Sequence, residues 1–352
     1  MRATVRTGPG KLEVLDIPKP EQDGKSIITK VLRVGICGSD LSIWKAPRGY
    51  ENLVLGHEYC LEVEDPGPTD YKKGDRIIHN PTGGCLFCDM CNDGLFAHCL
   101  NRKPDGTSYA DAPGVYTQGA YAEYLKIRPD KTYLVPDATS SDVATLVEPL
   151  SFAFHCVNRA VERDGALGKR VLVTGGGLIS MMVCEVLRSK GVEYIAVTEV
   201  NRLRIEHAKA YGAVDAVFDP ACEEDMAKLA AEAGRGFDLS FECTGKGPAL
   251  ELLFKFTKRL GTVLLAGISF APLSISTLMP VQKELTIVTA YGSPGATFDE
   301  ALELAGKIND RLEKHITYPN ITLEGAQKAL EHQASGESGA IKLVIDPHLR
   351  EE

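Results

Sequence analysis

Four cysteines fall between residues 85 and 99, spaced as Cys85-x2-Cys88-x2-Cys91-x7-Cys99. Two-residue spacers let neighbouring thiolates reach one ion without straining the backbone, and four sulfurs complete the tetrahedron that zinc prefers. The chain must therefore fold so that a loop with little core of its own is stapled by an ion. A four-thiolate site leaves no position for water or substrate, so its role is mechanical. Unpaired or redox-active thiols are the other reading, and the crowding speaks against it in a reducing compartment. A nucleic-acid zinc finger fits poorly, because the chain carries a net charge of -9 and phosphate recognition needs a basic face.

The 352 residues correspond to about two domains. A hydrophobic content of 44% with 25% charged residues is enough to bury ordinary cores. The N-terminus has no apolar stretch of signal-peptide length. The uncharged run from Val171 to Cys184 contains three consecutive glycines and stops at Glu185. It is too short and broken to span a bilayer. The expectation is a cytoplasmic protein without membrane or nucleic-acid partners. Cys60, Cys156, Cys184, Cys222 and Cys243 read as scattered free thiols that pack as small apolar groups.

The rhythm of the chain changes twice. Residues 1–80 hold short apolar runs separated by Gly, Pro and Asp turns, which reads as β-rich. Residues 81–118 are loop-like, strand character returns over 119–136, and an apolar helical pattern covers about 140–161. Strand and helix patterns then alternate. The strand candidates are Arg170–Thr174, Tyr194–Thr198, Ala216–Phe218, Phe237–Phe241, Thr262–Ala266 and Leu285–Thr289. Such alternation predicts a doubly wound parallel sheet. Helices over 298–313 and 322–334 and a last strand, Ala340–Ile345, close the chain.

The first strand of that series ends in Thr174-Gly175-Gly176-Gly177-Leu178-Ile179-Ser180. Gly175 permits a tight turn and Gly177 lets a pyrophosphate approach the backbone. Leu178 and Ile179 open the helix whose N-terminal amides and dipole favour an anion. Glu199 ends the second strand, where an acid hydrogen-bonds ribose hydroxyls and repels a 2′-phosphate, so NAD is favoured over NADP. Arg202 and Arg204 follow and pull the other way. Cys243-Thr244-Gly245, Gly267-Ile268 and Tyr291-Gly292 come after later strands, where ligands of parallel sheets bind.

A second metal constellation is dispersed. Cys37 lies in Gly35-Ile36-Cys37-Gly38-Ser39-Asp40, His57 in Gly56-His57-Glu58, and Glu148 before Pro149. A thiolate, an imidazole and a carboxylate form a catalytic zinc set with one open position. Taken singly each is equally a buried thiol, a core histidine or a turn acid.

Together the Gly-Ile-Cys-Gly-Ser-Asp run, Gly-His-Glu, the four-cysteine loop, Glu148-Pro149-Leu150, Gly74-Asp75-Arg76 and Gly119-Ala120-Tyr121-Ala122-Glu123 resemble the zinc-containing medium-chain dehydrogenases, in order and over essentially the whole chain. Because of Glu148, the chain is most similar to the sorbitol, threonine, butanediol and glucose dehydrogenase branch. The resemblance implies Cys37, His57 and Glu148 at a catalytic zinc, with Glu58 a neighbouring carboxylate that ligates in some states. Which of the two acids ligates at rest stays open. It implies Ser39 as the hydroxyl that takes the substrate proton and Asp40 as a structural hydrogen-bonder. It implies an arginine, Arg204, stacking on adenine. Cys243, Thr244, Gly267, Ile268 and Tyr291 then border the nicotinamide side. Where many family members carry a histidine five residues after the zinc cysteine, this chain has Ser42, so the proton must leave by another route.

The expected fold is α/β, a Rossmann doubly wound parallel sheet over 154–292 plus a β-rich GroES-like catalytic domain over 1–153 and 293–352. The expected activity is hydride transfer between NAD(H) and a secondary alcohol or ketone, a polyol, sugar, cyclitol or diol, with two zinc ions per subunit in a homodimer or homotetramer. A zinc-free enone or quinone reductase and a non-catalytic NAD-binding sensor are the alternatives. Trp44, Arg48 and Tyr50 either border the pocket or simply pack.

Overall fold

The computed structural model describes residues 1–101, 112–162, 165, 167–269 and 271–350. It divides into two compact units, Met1–Ser151 with Gly292–Glu352, and Phe152–Tyr291.

The first unit is built on a seven-stranded sheet. Its path runs Ile316–Ile321, Lys342–Ile345, Ile27–Gly35, Glu58–Asp65, Arg76–His79 and Thr132–Leu134, and Tyr124–Ile127 pairs with the first half of Ile27–Gly35. Only the Ile316–Ile321 and Lys342–Ile345 pair is parallel. A three-stranded antiparallel sheet joins Lys11–Asp16, Arg2–Gly8 and Leu53–Val54. The Ile27–Gly35 strand is central because its β-branched, apolar sequence suits a pleated surface covered on both sides. Val31, Val34 and Ile36 sit in one core with Leu55, Leu61, Tyr121 and Leu343.

Register within this sheet places the functional residues. Gly35 lies opposite Glu58 on one side and opposite Val344 on the other. The chain leaves the strand through Ile36 and Cys37 and turns into a helix, Gly38–Lys45. This helix interrupts the expected β-rich stretch. Asp40, at its third position, accepts the Cys37 backbone N–H at 2.9 Å, which satisfies an orphan donor at the positive end of the helix.

The second unit is a six-stranded, all-parallel sheet. Its order is Ala216–Phe218, Tyr194–Thr198, Arg170–Thr174, Phe237–Glu242, Thr257–Leu265 and Thr286–Thr289. Val171, Leu172, Val173, Ile195, Ala196 and Val197 are fully buried, as expected of strands covered on both faces. The order reverses between Arg170–Thr174 and Phe237–Glu242, and ligands of such sheets bind outside the carboxyl ends at that reversal.

Several boundaries differ from the sequence reading. The helical pattern over 140–161 is two helices, Ser141–Ala144 and Val147–Val161, the first opened by the Ser140 hydroxyl, which accepts from the Val143 N–H. The fifth strand of the parallel sheet begins at Thr257, five residues early, because left-handed Leu260 (φ 60°) absorbs a local irregularity without ending the strand. The helix expected over 298–313 is Gly295–Lys307 followed by a separate turn, Asn309–Leu312. That expected over 322–334 starts at Ala326, and the last strand starts at Lys342. The loop expected over 81–118 contains a short helix, Asp89–Asn92, and a tight turn, Phe96–His98, while its residues 102–111 lie outside the described residues. No helix among the described residues is long and apolar enough to cross a membrane.

Candidate active site

The Cys37 turn meets the start of the Glu58–Asp65 strand because Gly35 and Glu58 are paired. One sulfur of Cys37, one ring nitrogen of His57 and one carboxylate oxygen of Glu58 lie within 4.8 Å of one another. Gly56 sets the approach. Its φ is +94°, and a Cβ there would stand 2.4 Å from the Tyr121 ring, so glycine is required on both counts.

Asp40 stands behind His57. Its Oδ1 faces His57 Nδ1 at 3.4 Å, and neither atom has a hydrogen bond. Its Oδ2 accepts the Cys37 N–H and the Tyr121 hydroxyl, each at 2.9 Å. The other ring nitrogen, Nε2, is 3.4 Å from Ser39 Oγ. Ser39 is therefore beside the imidazole nitrogen opposite the one that faces Asp40.

Glu58 is held from the far side. Lys342, fully buried, donates to Glu58 Oε2 and to the Ile36 carbonyl. The strand pairing brings Lys342 past Gly35, where a Cβ would lie 2.3 Å from the Lys342 Cε, so the missing side chain opens the passage. Glu148 enters from the first turn of Val147–Val161. It is outside the tight trio but close enough to sense Glu58, His57 and Lys342, and the Ser293 hydroxyl lowers its pKa slightly.

The electrostatics favour a cation. Burial and then the Glu58 charge raise the Cys37 thiol. Burial and then Glu58 push Glu148 up to about 7. Burial alone would lower His57, but Cys37 and Asp40 hold it well above the usual imidazole range. A thiol and a carboxylic acid whose ionisation burial and the Glu58 charge oppose are relieved by a dication, and a sulfur, nitrogen and oxygen donor set suits zinc. The residues fit the metal.

The second cluster is Cys85, Cys88, Cys91 and Cys99, whose sulfurs all lie within 4.8 Å. All four are free thiols. The Cys85 N–H donates to Cys99 Sγ at 3.4 Å, and Asn101 Nδ2 donates to Cys85 Sγ at 3.1 Å. Phe96 packs against the group.

In the parallel-sheet unit, Gly175 has φ +94° and a Cβ there would press on Ser180 and Thr244 at 3.0 Å. Gly177 caps the Leu178–Ser189 helix in an extended conformation, where a Cβ would meet only Arg204 Nη1 at 3.7 Å. Gly175 thus makes the turn, while Gly177 leaves room. Glu199 is buried; its Oε2 accepts the Gly176 N–H at 2.5 Å, and its Oε1 accepts from Val200 and Asn201. The Arg204 guanidinium lies over Gly177. Glu242 does the same at the end of its own strand, accepting from the Thr244 and Gly245 amides. Gly267 packs on Gly245, whose amide would be 2.2 Å from a Cβ. Cys243 is half-buried, while Ile268 and Tyr291 are exposed. Trp44 belongs to the core, with Tyr50 packed partly against it.

Sequence reasoning gave no role to Lys342, Ser293, Tyr121 or Glu242. A lysine inside the apolar run Ile341-Lys342-Leu343-Val344-Ile345 is a signal, since a buried strand does not place a cation without a partner. Ser293 carries no such mark.

Residues 23–137 match the alcohol dehydrogenase GroES-like domain family and residues 179–307 the zinc-binding dehydrogenase family. The L-threonine 3-dehydrogenase of Shewanella putrefaciens is 30% identical over 343 residues, covering 95% of this chain and 96% of that one. The sorbitol dehydrogenase of Bacillus subtilis is 27% identical over 361 residues, covering 99% and 98%. The galactitol-1-phosphate dehydrogenase structure from Escherichia coli superposes with a TM-score of 0.86 at 21% identity, covering 99% of this chain and all of that one. Relatives of this kind over nearly the full length, with both domain families matched in order, make the chain an oxidoreductase of CH–OH groups: it belongs to the zinc-containing medium-chain dehydrogenases.

Proposed function

We propose that the chain interconverts a secondary alcohol and its ketone with NAD as hydride carrier, acting on a polyol, sugar alcohol, cyclitol or diol. The observation that carries this reading is the convergence of Cys37, His57 and Glu58 within 4.8 Å. Cys37 and His57 would hold the catalytic zinc with a carboxylate from Glu58 or Glu148. When bound, zinc supplies a Lewis acid that favours the alkoxide form of an alcohol near neutral pH. Ser39, whose Oγ lies 3.4 Å from His57 Nε2, takes the hydroxyl proton. Ser42 is exposed, so the proton passes on from Ser39 to water or a cofactor hydroxyl. Cys85, Cys88, Cys91 and Cys99 would hold a second, structural zinc.

For the cofactor, Gly175 and Gly177 with the Leu178–Ser189 helix supply an amide-lined turn, with Leu178 and Ile179 at its start. Glu199 at the end of the second strand supports NAD over NADP, and Arg204 over Gly177 offers a planar cation for the adenine side. Thr244, Gly267, Ile268 and Tyr291 follow the later strands and line the approach to the nicotinamide. Similarity to threonine, sorbitol and galactitol-1-phosphate dehydrogenases supports a hydroxylated substrate of a few carbons.

A homodimer or homotetramer is supported by the outer strand Thr286–Thr289, whose Ile287 is 48% exposed, and by exposed Leu278 at 60% and Val281 at 71% on the preceding helix. Ten free cysteines suit the reducing cytoplasm. A panel of alcohols and ketones followed by NADH absorbance, with zinc analysis, tests the proposal. Turnover of at least one secondary alcohol and two zinc ions per chain are expected. One zinc per chain with activity on enones would overturn it.

A further inference from the structure

We propose that Tyr121 is a positioning residue for His57, acting through Asp40. The inference rests on the reading of Cys37, His57 and Glu58 as a zinc site.

The backbone of Tyr121 is pinned on both sides. Its N–H donates to the Leu55 carbonyl at 2.9 Å and its carbonyl accepts from Thr4 at 2.7 Å. The side chain is fully buried, and its ring fills the space that Gly56, the residue before His57, leaves open. The hydroxyl donates to Asp40 Oδ2 at 2.9 Å. That same oxygen accepts the Cys37 N–H at 2.9 Å.

A carboxylate with one donor can rotate and offer either oxygen. Two donors converging on Oδ2 fix its plane and leave Oδ1 aimed at His57 Nδ1, 3.4 Å away. His57 then keeps Nδ1 toward Asp40 and Nε2 toward Ser39. Carboxylate partners of this kind orient a metal-binding imidazole and raise its basicity. Burial and the neighbouring Asp40 hold the Tyr121 phenol well above its usual range, so it stays a donor at any working pH. A phenylalanine would fill the same space and remove only the donor.

The test measures zinc retention against a competing chelator in the full chain, for wild type and Tyr121→Phe. Wild type should hold two zinc ions. The variant should hold the four-cysteine ion unchanged and the other about tenfold more weakly, the lower end of what loss of an outer partner costs. Its thermal midpoint should barely move, and in the cobalt-loaded protein the absorption bands of the Cys37 site should shift. In an Asp40→Asn background, Tyr121→Phe should have no further effect. Equal zinc affinity in Tyr121→Phe, or an equal loss in the Asp40→Asn background, overturns the role of Tyr121 while leaving the zinc site intact. A wild-type chain holding only one zinc overturns the reading beneath it. If Tyr121→Phe did not fold, 3-fluorotyrosine at 121 would serve. Its fluorine resonance should move as the second zinc equivalent binds, and a resonance indifferent to that equivalent overturns the proposal.

Discussion

The two clusters of potential metal ligands are equally compact and built in opposite ways. Cys85, Cys88, Cys91 and Cys99 come from one short segment, and their sulfurs converge because the spacing allows little else. Cys37 comes from one segment and His57 and Glu58 from another, and the two meet through a strand register. Around them stand Asp40, Tyr121, Lys342 and Glu148, none of which is a sequence neighbour of His57. The first cluster needs only its loop. The second needs the whole sheet, and in exchange it gains polar partners that set the direction and charge of every ligand.

Four experiments sharpen or break this contrast. The largest effect is expected at Cys37. Cys37→Ser should lower turnover by about a thousandfold or more, given several kcal/mol of lost charge stabilisation, while NADH binding, read by fluorescence, persists. Cys88→Ser should instead lower thermal stability first. If the two variants lose activity and stability in the same proportion, the division between chemical and mechanical sites fails.

Next is Lys342→Met. It leaves Glu58 buried without its cation and should cost about 3–5 kcal/mol in urea unfolding. Adding Glu58→Gln should recover much of that loss. A lone Lys342→Met variant as stable as wild type would show that the buried pair does not organise the site. Gly35→Ala should cost about 1–3 kcal/mol, since its methyl displaces the Lys342 side chain. No comparable penalty is expected at Gly177, where a Cβ meets nothing closer than 3.7 Å. The smallest effect is at Asn101, whose amide donates to Cys85 Sγ. Asn101→Ala should cost about 1 kcal/mol and speed zinc release from the four-cysteine loop alone, measured with a chromogenic chelator.

What was legible in the sequence follows the same division. The four-cysteine loop and the Gly175–Gly177 turn are local patterns, and their spacing carries their geometry. The alternation of strands and helices showed a parallel sheet and its strands, though not their spatial order, because buried parallel strands read as apolar runs. The helix Gly38–Lys45 was not visible, since its eight residues mix polar and apolar types without a helical stripe and follow a long strand. The partner of Glu58 was equally hidden, because Lys342 lies 284 positions away. The placement of Glu58 inside the tight trio, with Glu148 beside it, depends on the Gly35–Glu58 pairing, which no local pattern encodes.

That pairing also sets an order of events. Successive side chains of a strand point to opposite faces, so a slip of one residue would turn Glu58 away from Cys37 and leave Lys342 facing nothing. The loop cysteines can capture an ion from a chain that is still disordered. The dispersed trio exists only once the Ile27–Gly35 and Glu58–Asp65 strands have aligned. In refolding with zinc present, the first equivalent should therefore be taken up early and the second late, which makes occupancy of the second site a clock for completion of the sheet.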